Sequence, residues 1–504
     1  MTRVFGTETE YGITIQGAES VDVVAESIEL VRSYTEHGAH MKWDYSLEDP
    51  HRDARGFRAA QLLQDTDESA YYEIDRNRPL SFEEIKSDLV LSNGARYYND
   101  HAHPEYSTPE CTAIRELVAH DKAGERVLAE CARRRNLRLP SGQELGLYKN
   151  NTDFVGHSYG CHDNYLVRRE VPWEKLVAGV LPFLITRQIF AGAGKLGIEG
   201  EGSTGQRGVF QISQRADFFS VPISIDTMNK RPLINTRDEP HADASKYRRF
   251  HVIIGDSNMS EWATALKVGT TALVLDLIER NKAPRIEIAQ PVDATKSISR
   301  DPNHDWILET SDGRKISAID LQRLYLSAAQ KEFGTGEEAT WLLREWEMVL
   351  DDLERNVMLA RDRVDWVAKK FLLEAFRDEE GLEWTDPWLQ AIDLEYHNVS
   401  PGRGLFHELT EQRSVRTVVT EEEIRHAIFA PPETTRAYFR GRCVARFNEM
   451  IKSIQWDEIT FCCDGRVYSV ALPEPAKDPR LEKMNALLRK EPELPDLMQA
   501  LENC

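Results

Sequence analysis

The sequence lacks a disulfide framework, because its seven cysteines are odd in number and scattered over 504 residues. No pair has the Cys-x-x-Cys spacing of a zinc site, which favours a reduced, cytoplasmic protein. Long hydrophobic runs are also missing: the longest apolar stretch, 176–185, is interrupted by Pro182 and is too short to cross a bilayer. Acidic residues occur as early as Glu8 and Glu10, so we expect neither a signal peptide nor membrane association.

Several catalytic motifs are missing as well. The sequence has no G-x-S-x-G nucleophile elbow, no HExxH zinc motif and no Walker GxxxxGK[ST] loop. The Gly-rich stretch 197–208 does not fit the Walker pattern, and we interpret it as a hairpin or turn. A hydrolase with this sequence would therefore use a carboxylate or an activated water, and Asp100 has the most suitable neighbours.

The acidic composition limits the partners of the chain. A formal net charge of −21 opposes nonspecific binding to nucleic acid, and we expect no nucleic-acid partner. The segment Ala-Pro-Pro-Glu-Thr-Thr at 430–435 is typical of a domain boundary. We therefore predict a main body over 1–430 and a small C-terminal domain over 431–504, with Thr434 or Thr435 capping a basic helix.

Hydrophobic periodicity predicts a mixture of strands and helices. The predicted strands cover 4–15, 145–149, 209–212, 251–254 and 459–463. The predicted helices cover 21–34, 113–134 and 259–280, together with a helical region over 320–377 that is divided at Gly334 and Gly336. No period is visible between 36 and 79. A loop of this length is usually functional or disordered, although a tolerated surface insertion is the alternative.

Two strand-like segments carry carboxylates at alternate positions. They are Gly-Thr-Glu-Thr-Glu-Tyr-Gly at 6–12 and Asn-Gly-Ala-Arg-Tyr-Tyr-Asn-Asp at 93–100, the second followed by His-Pro-Glu-Tyr at 103–106. Side chains two apart share one face of a strand, so Glu8 and Glu10 should project together. The same rule groups Arg96, Tyr98 and Asp100. Such a surface could hold Mg²⁺ and nucleotide phosphates; a Glu-rich edge strand is the alternative for the first segment.

Two further polar side chains could contribute to a site. His162 could ligate a metal or contact phosphate, or it could be a structural histidine. Arg237 lies in a charged turn, where it could clamp phosphate oxygens or pair with Asp238 or Glu239.

Eight segments together resemble the Pup ligase and depupylase family. They lie at 6–12, 93–96, 103–106, 150–153, 158–165, 236–243, 251–260 and 436–443. The resemblance extends to about residue 461. It implies an α+β fold with a glutamine-synthetase-like antiparallel β-sheet cradle, packed with helices and holding ATP and Mg²⁺, plus a small C-terminal domain.

The resemblance also implies roles for individual residues. Asp100 matches the catalytic aspartate of the family. The implied Mg²⁺ ligands or surroundings are Glu8, Glu10, Tyr98, Glu105, His162 and His241. The implied cofactor-binding residues are Glu8, Glu10, Arg96, Thr108, Arg237, His241 and Trp456.

Two sister activities share these motifs. The ligase joins the C-terminal glutamate side chain of the small protein Pup to a substrate lysine and consumes ATP, whereas the depupylase hydrolyses that isopeptide bond and deamidates a C-terminal glutamine of Pup. The insertion at 36–79 and the short spacing from Asp100 to Glu105 resemble the depupylase. We therefore expect that activity, with Mg²⁺ and ATP (or ADP plus phosphate) as bound cofactors. The implied partners are Pup and pupylated proteins, with the proteasomal ATPase as a further candidate.

Several alternatives stay open from the sequence. A Pup–protein ligase would use the same site, a small-molecule glutamate–amine ligase would fit the strand chemistry, and a noncatalytic Pup-binding adaptor would need no chemistry. Asp100 could attack the amide carbon directly or draw a proton from water. The basic residues from Arg436 to Arg446 could contact Pup or have an intramolecular role.

Overall fold

A six-stranded antiparallel sheet forms the centre of the molecule, and helices pack against one of its faces. The computed structural model describes residues 3–35, 43–62, 78–199, 206–227, 230–463 and 465–502. Within those ranges, no helix combines the length and the apolar character needed to cross a membrane. None of the six cysteines within those ranges forms a disulfide bond.

The strands of the described ranges form one large sheet and several small ones. They are β1 (Phe5–Glu10), β2 (Gly12–Gln16), β3 (Leu89–Val90), β4 (Arg96–Asp100), β5 (His103–Ser107), β6 (Glu144–Tyr148), β7 (Cys161–Arg168), β8 (Lys195–Ile198), β9 (Gln206–Gln211), β10 (Val221–Ser224), β11 (Pro232–Asn235), β12 (Tyr247–Val252), β13 (Ile307–Glu309), β14 (Lys315–Ser317), β15 (Ile451–Ile454), β16 (Glu458–Cys463) and β17 (Arg466–Ala471). The central sheet has the order β12-β7-β1-β5-β4-β3, and β15-β16-β17 form a separate sheet. β8 and β9, at the two ends of the Gly-rich stretch, pair antiparallel, which agrees with the predicted hairpin. Residues 200–205 between them lie outside the described ranges.

The helices are concentrated after β7. They are α1 (Val23–Arg32), α2 (Phe82–Lys86), α3 (Ile114–Asn136), α4 (Trp173–Thr186), α5 (Gln188–Ala191), α6 (Glu261–Glu279), α7 (Pro291–Arg300), α8 (Ala318–Phe333), α9 (Glu337–Arg355), α10 (Asp365–Glu380), α11 (Pro387–Tyr396), α12 (Leu405–Glu411), α13 (Glu421–Phe429), α14 (Arg436–Phe447), α15 (Pro479–Leu488) and α16 (Leu494–Leu501). Local sequence sets several of their starts. The side chain of Asp22 caps α1, that of Ser260 caps α6 and that of Thr435 caps α14. Each accepts a hydrogen bond from an N–H in the first turn of its helix. Of the two predicted caps, Thr435 is therefore the one used.

The buried face of the central sheet builds the main core. Phe5, Tyr165 and Phe250 project from β1, β7 and β12 into a cluster that includes Trp262 of α6 and Trp346 of α9. Each large apolar side chain buried in this way stabilises the fold by roughly 1.5–3 kcal/mol. The opposite face of β1 and β7 is only partly buried, which leaves it open to a ligand.

Three predicted elements differ from the structure. The strand predicted over 4–15 is two strands, because Tyr11 separates β1 from β2 and β2 pairs with β6 instead. The strand predicted over 251–254 is wrong in position, since β12 spans Tyr247–Val252. The helical region divides at Gly336, where φ is 110°, as predicted; it also divides between Arg355 and Asp365, which was not predicted.

The C-terminal segment is joined to the main body by a buried ion-pair network. Arg436 Nε donates to Glu110 Oε1 at 2.7 Å, and Arg440 Nη2 donates to Glu110 Oε2 at 2.5 Å and to Gly94 O at 2.8 Å. Of the two roles open from the sequence, Arg436 and Arg440 thus have the intramolecular one. A second hydrophobic cluster unites α14, β15–β17, α15 and α16, and Trp43 and Val90 of the main body pack into it. The division at residue 430 stays a prediction.

The described part of the insertion, 43–62, packs on the main body. Ala54 N donates to Thr236 O at 2.8 Å, and Thr236 Oγ1 donates to Asp53 Oδ2 at 2.6 Å. Asp44 N donates to Ile454 O at 3.1 Å, so the insertion also contacts the C-terminal sheet. Residues 36–42 and 63–77 of the predicted loop lie outside the described ranges.

We predict that Glu110→Gln destabilises the protein at neutral pH. Burial alone would raise the pKa of Glu110, but Arg440 and Arg436 lower it to about 2. The stabilisation is therefore complete above the unfolded pKa of about 4.3 and is lost as the pH falls towards 2. Urea unfolding at pH 7 should give a free energy of unfolding about 3–5 kcal/mol below that of the unsubstituted protein, with the gap narrowing below pH ~4.

Glu144→Gln is the matched control for this prediction. Glu144 pairs with Arg403, and both side chains are about half exposed. Its removal should change the free energy of unfolding by about 0–1 kcal/mol. Equal stability of the Glu110→Gln variant and the unsubstituted protein at pH 7 would contradict the assignment.

Candidate active site

The acidic side chains lie on the open face of the central sheet. Strand by strand, this face carries Arg249 and His251 on β12, His162 and Asn164 on β7, Glu8 and Glu10 on β1, Glu105 and Ser107 on β5, and Arg96, Tyr98 and Asp100 on β4. Residues directly paired between strands share a face, and so do residues two apart. Glu10 is paired with Glu105, which is paired with Tyr98. The two side-chain groupings predicted from alternation are both present.

Glu8 is at the centre of a polar cluster. Its carboxylate lies close to Asn164 Nδ2 (3.1 Å), His162 Nδ1 (3.3 Å), His251 Nε2 (3.6 Å) and Arg249 Nη2 (3.8 Å). Burial alone would raise the pKa of Glu8, but Arg249 and His162 hold it well below its usual range. Burial, with Arg249, lowers the pKa of His251 to about 3, so this imidazole is neutral and can ligate a metal.

Glu10, Asp100 and Glu105 form a second cluster, with ligand oxygens within 4.8 Å of one another. Glu10 Oε1 accepts a hydrogen bond from Gly160 N at 2.8 Å, which orients its carboxylate. Tyr98 Oη donates to Glu105 Oε1 at 2.5 Å. Burial and the neighbouring carboxylate of Asp100 raise the pKa of Glu105 well above its usual range. The three carboxylates therefore repel one another, and a nearby positive charge would stabilise their ionised forms.

Asp100 lies at the end of β4 and stays ionised. Lys86 Nζ donates to Asp100 Oδ1 at 2.7 Å, and His101 Nδ1 lies 3.2 Å from Asp100 Oδ2. Burial alone would raise the pKa of Asp100, but these two neighbours hold it well below its usual value. An ionised carboxylate in this position can act as a nucleophile or as a base.

Arg96 is enclosed by the insertion rather than left free in the site. Its Nε donates to Asp88 Oδ1 at 2.8 Å, and its Nη2 donates to Tyr45 Oη at 2.9 Å. Its guanidinium also lies 4.0 Å from the ring of Trp43 and 3.9 Å from the ring of Tyr98. Trp43 and Tyr45 belong to the predicted insertion, so this segment reaches the site. A nucleotide contact of Arg96 stays a prediction.

A cleft next to Glu8 brings together several residues predicted to bind the cofactor. Glu8, Thr108, His241 and Trp456 are among its lining residues. Thr108 is held against β1, because Thr7 N donates to its Oγ1 at 3.0 Å. Burial lowers the pKa of His241 well below its usual value, which keeps the imidazole neutral.

Arg237 does not line this cleft. Its Nη2 donates to Thr227 Oγ1 at 3.1 Å, and its Nε is buried without a hydrogen-bond partner among the described residues. Asp238, one alternative partner considered from the sequence, instead receives two hydrogen bonds from Arg169, at 2.8 and 2.9 Å. The predicted role of Arg237 in nucleotide binding remains untested by this geometry.

Sequence reasoning did not select three residues that contact the predicted site. Arg249 and His251 lie on one face of β12, but a strand predicted to begin at 251 could not group them. Counting alternation back from His251 would have found Arg249. Lys86 ends the five-residue helix α2, which is too short for a periodic signal.

The donor set fits a hard divalent cation. Carboxylate oxygens are the ligands that Mg²⁺ prefers, and Glu8, Glu10 and Glu105 supply them on one surface. Asn164 Oδ1 and both ring nitrogens of His251 are buried without a hydrogen-bond partner among the described residues. Buried polar atoms normally have partners, and a cation bound at Glu8 would provide one nearby. Tyr98 already donates to Glu105, and its ligand role stays a prediction.

Comparison with known proteins identifies the family. The family model described as "Pup-ligase protein" matches residues 3–460. The chain belongs to this family. A depupylase of Acidothermus cellulolyticus is 46% identical over 92% of this chain and 92% of its own length. A Pup deamidase/depupylase of Mycolicibacterium smegmatis is 42% identical with the same coverage of both chains.

In the sequence comparison, a relative named ligase matches less of the chain than the relatives named depupylase do. A Pup–protein ligase of Corynebacterium urealyticum is 41% identical over 79% of this chain and 84% of its own length. The crystal structure of Pup with its ligase PafA matches with a TM-score of 0.77 and 31% identity, covering 99% of this chain and 95% of that one. PafA in complex with ADP matches with a TM-score of 0.72 and 34% identity, covering 87% and 96%. The expected α+β fold is confirmed.

We predict that Glu8→Gln weakens binding of a divalent cation. The substitution preserves size but removes the negative charge at the centre of the Glu8 cluster. Titration with Mn²⁺ in the presence of ADP, followed by electron paramagnetic resonance, should give an affinity about tenfold or more below that of the unsubstituted protein. Glu170→Gln is the control, because Glu170 is an exposed acid. Unchanged Mn²⁺ affinity in the Glu8→Gln variant would remove Glu8 from the metal site.

Proposed function

We propose that this protein is a depupylase. It hydrolyses the isopeptide bond between the C-terminal glutamate side chain of Pup and a substrate lysine, and it deamidates a C-terminal glutamine of Pup to glutamate. The observation that carries the proposal is an ionised Asp100 beside Glu10 and Glu105 in a chain of the Pup-ligase family. Relatives named depupylase match 92% of the chain, against 79% for a relative named ligase, which favours hydrolysis over joining.

The proposal includes Mg²⁺ and ATP, or ADP plus phosphate, as bound cofactors. The metal would be held by Glu8, Glu10 and Glu105, with Tyr98, His162 and His241 around it. The nucleotide would contact Arg96, Thr108, Arg237 and Trp456. Mg²⁺, when bound, would supply positive charge that polarises the amide carbonyl, and the nucleotide would help to organise the site. The complex of PafA with ADP supports a nucleotide in this family.

Asp100 would act on the polarised amide in one of two ways. It could attack the carbonyl carbon, release the lysine amine and leave an anhydride that water then hydrolyses. Alternatively, it could take a proton from a water that attacks the same carbon. In both routes the leaving amine gains a proton and water supplies the new carboxylate oxygen. Hydrolysis of an amide is downhill, so nucleotide turnover is not required.

The partners in this proposal are Pup and pupylated proteins in the cytoplasm, with the proteasomal ATPase as a further one. The complex of PafA with Pup supports Pup recognition by this fold. We also propose a main body over 1–430 and a small domain over 431–504. The hydrophobic cluster built mainly from the C-terminal segment supports that division, although Trp43 and Val90 of the main body also belong to it.

We predict that the purified protein releases Pup from a Pup-modified protein and that Asp100→Asn abolishes this release. The amide keeps the shape of the side chain but cannot serve as an anionic nucleophile or base. The rate should fall by at least about 10²–10⁴-fold, while ADP affinity is retained. Release is measured by gel electrophoresis with and without nucleotide. Asp312→Asn, at an exposed aspartate paired with Arg314, is the control and should be fully active.

A parallel incubation with free Pup, ATP and a lysine-containing acceptor separates the two sister reactions. Joining without release would replace the proposal with a ligase. Binding of Pup with neither reaction would replace it with an adaptor. Turnover by Asp100→Asn equal to that of the unsubstituted protein would reject both roles given to Asp100.

A further inference from the structure

The proposed chemistry leaves one close neighbour of Asp100 without a function. Lys86 Nζ lies 2.7 Å from Asp100 Oδ1, and the exposed fractions of the two side chains are 17% and 26%. The other charged neighbour, His101, is more distant at 3.2 Å and is itself exposed. Lys86 is therefore the principal cation next to the carboxylate that is proposed to react.

The backbone that carries Lys86 is fixed independently of this ion pair. A capping box joins Ser81 and Glu84 at the start of α2. Asn99, next to Asp100 in the chain, donates from Nδ2 to Ile85 O at 3.1 Å. The β3–β4 ladder follows directly after α2. The ammonium group is thus presented to Asp100 from a held position, and the ion pair is not needed to hold α2 in place.

The ion pair between Lys86 and Asp100 places a positive charge among several neighbouring carboxylates. Asp100 shares its surroundings with Glu10 and Glu105, whose carboxylate oxygens are within 4.8 Å. Like charges at this distance repel one another, which favours rotation of one carboxylate away from the others. A lysine bonded to a single oxygen of Asp100 opposes that rotation. The other oxygen, Oδ2, has only the more distant and exposed His101 beside it, with Nδ1 at 3.2 Å.

We propose that Lys86 is a positioning residue that fixes the orientation of the Asp100 carboxylate and balances its charge among the neighbouring acids. This inference rests on the proposed function, because it takes Asp100 as the reacting group. Its rival is a merely structural ion pair. A partly exposed pair of that kind contributes only about 0–1 kcal/mol to stability, so its loss alone should leave the fold intact.

The test compares Lys86→Met with Lys86→Arg in the full-length protein. Methionine keeps the unbranched stem and removes the charge, whereas arginine restores a donor cation. We expect Lys86→Met to lower kcat for release of Pup by about 10²-fold, the typical cost of a misplaced reacting group. KM, ADP affinity and the unfolding temperature should not change, and Lys86→Arg should recover part of kcat. Lys282→Met is the matched control, because Lys282 is exposed and pairs loosely with Glu332 at 3.7 Å.

Three outcomes would overturn the inference. They are an unchanged kcat in Lys86→Met, a change confined to KM, and a loss of activity that follows a lowered unfolding temperature and is not rescued by arginine. Asp100→Asn is assayed in parallel to separate this failure from failure of the proposed function. An active Asp100→Asn variant rejects the role of Asp100 itself. An inactive Asp100→Asn variant beside a fully active Lys86→Met variant rejects only the role of Lys86.

Discussion

Electrostatic repulsion among the carboxylates on the open face of the central sheet is the constraint on which the site depends. Two antiparallel pairings bring Glu8, Glu10, Glu105 and Asp100 onto one surface that is partly buried. Positive groups offset the repulsion at two of these acids, because Glu8 has Arg249 beside it and Asp100 has Lys86. At Glu105, burial and the neighbouring Asp100 raise the pKa well above its usual range. A divalent cation would balance the same charges with one ion, because its charge dominates a site of this kind.

The fold holds this arrangement because strands, rather than loops, carry the acids. The opposite face of β1 and β7 is packed against helices, so the strands cannot shift without opening the main core. The insertion and the C-terminal segment, which lie outside the central sheet, both contact the edge of the site. Trp43 of the insertion meets Trp456 of the C-terminal segment edge to face, with ring centroids 5.4 Å apart, and also covers Arg96. The insertion and the C-terminal segment therefore meet next to the candidate site.

Sequence alone predicts the parts of this site that depend on local geometry. Alternation along one strand is sufficient to group Glu8 with Glu10, and glycine is sufficient to divide α8 from α9. The pairing of Glu10 with Glu105 depends on register between distant segments, which alternation does not specify. The break at Tyr11 and the span of β12 could not be predicted for the same reason, because the ends of a strand depend on the strands that pair with it. The contact of Trp43 with Arg96 could not be foreseen, because no periodicity marks the insertion.

Hydrolysis requires water to reach the site of Asp100, whereas ligation requires a lysine amine to reach it. The position of Asp100 suits both reactions. Its side chain is 26% exposed at the end of β4, so water and a lysine amine can each approach it. The difference between the reactions must then come from what surrounds this carboxylate. The strands that carry the acids belong to the region matched by the family model, residues 3–460. The insertion is the segment that the resemblance assigns to depupylases. It contacts Arg96, which lies on the same face of β4 as Tyr98. Selectivity for water is therefore best sought in the insertion, which changes the surroundings of the acids without replacing any of them.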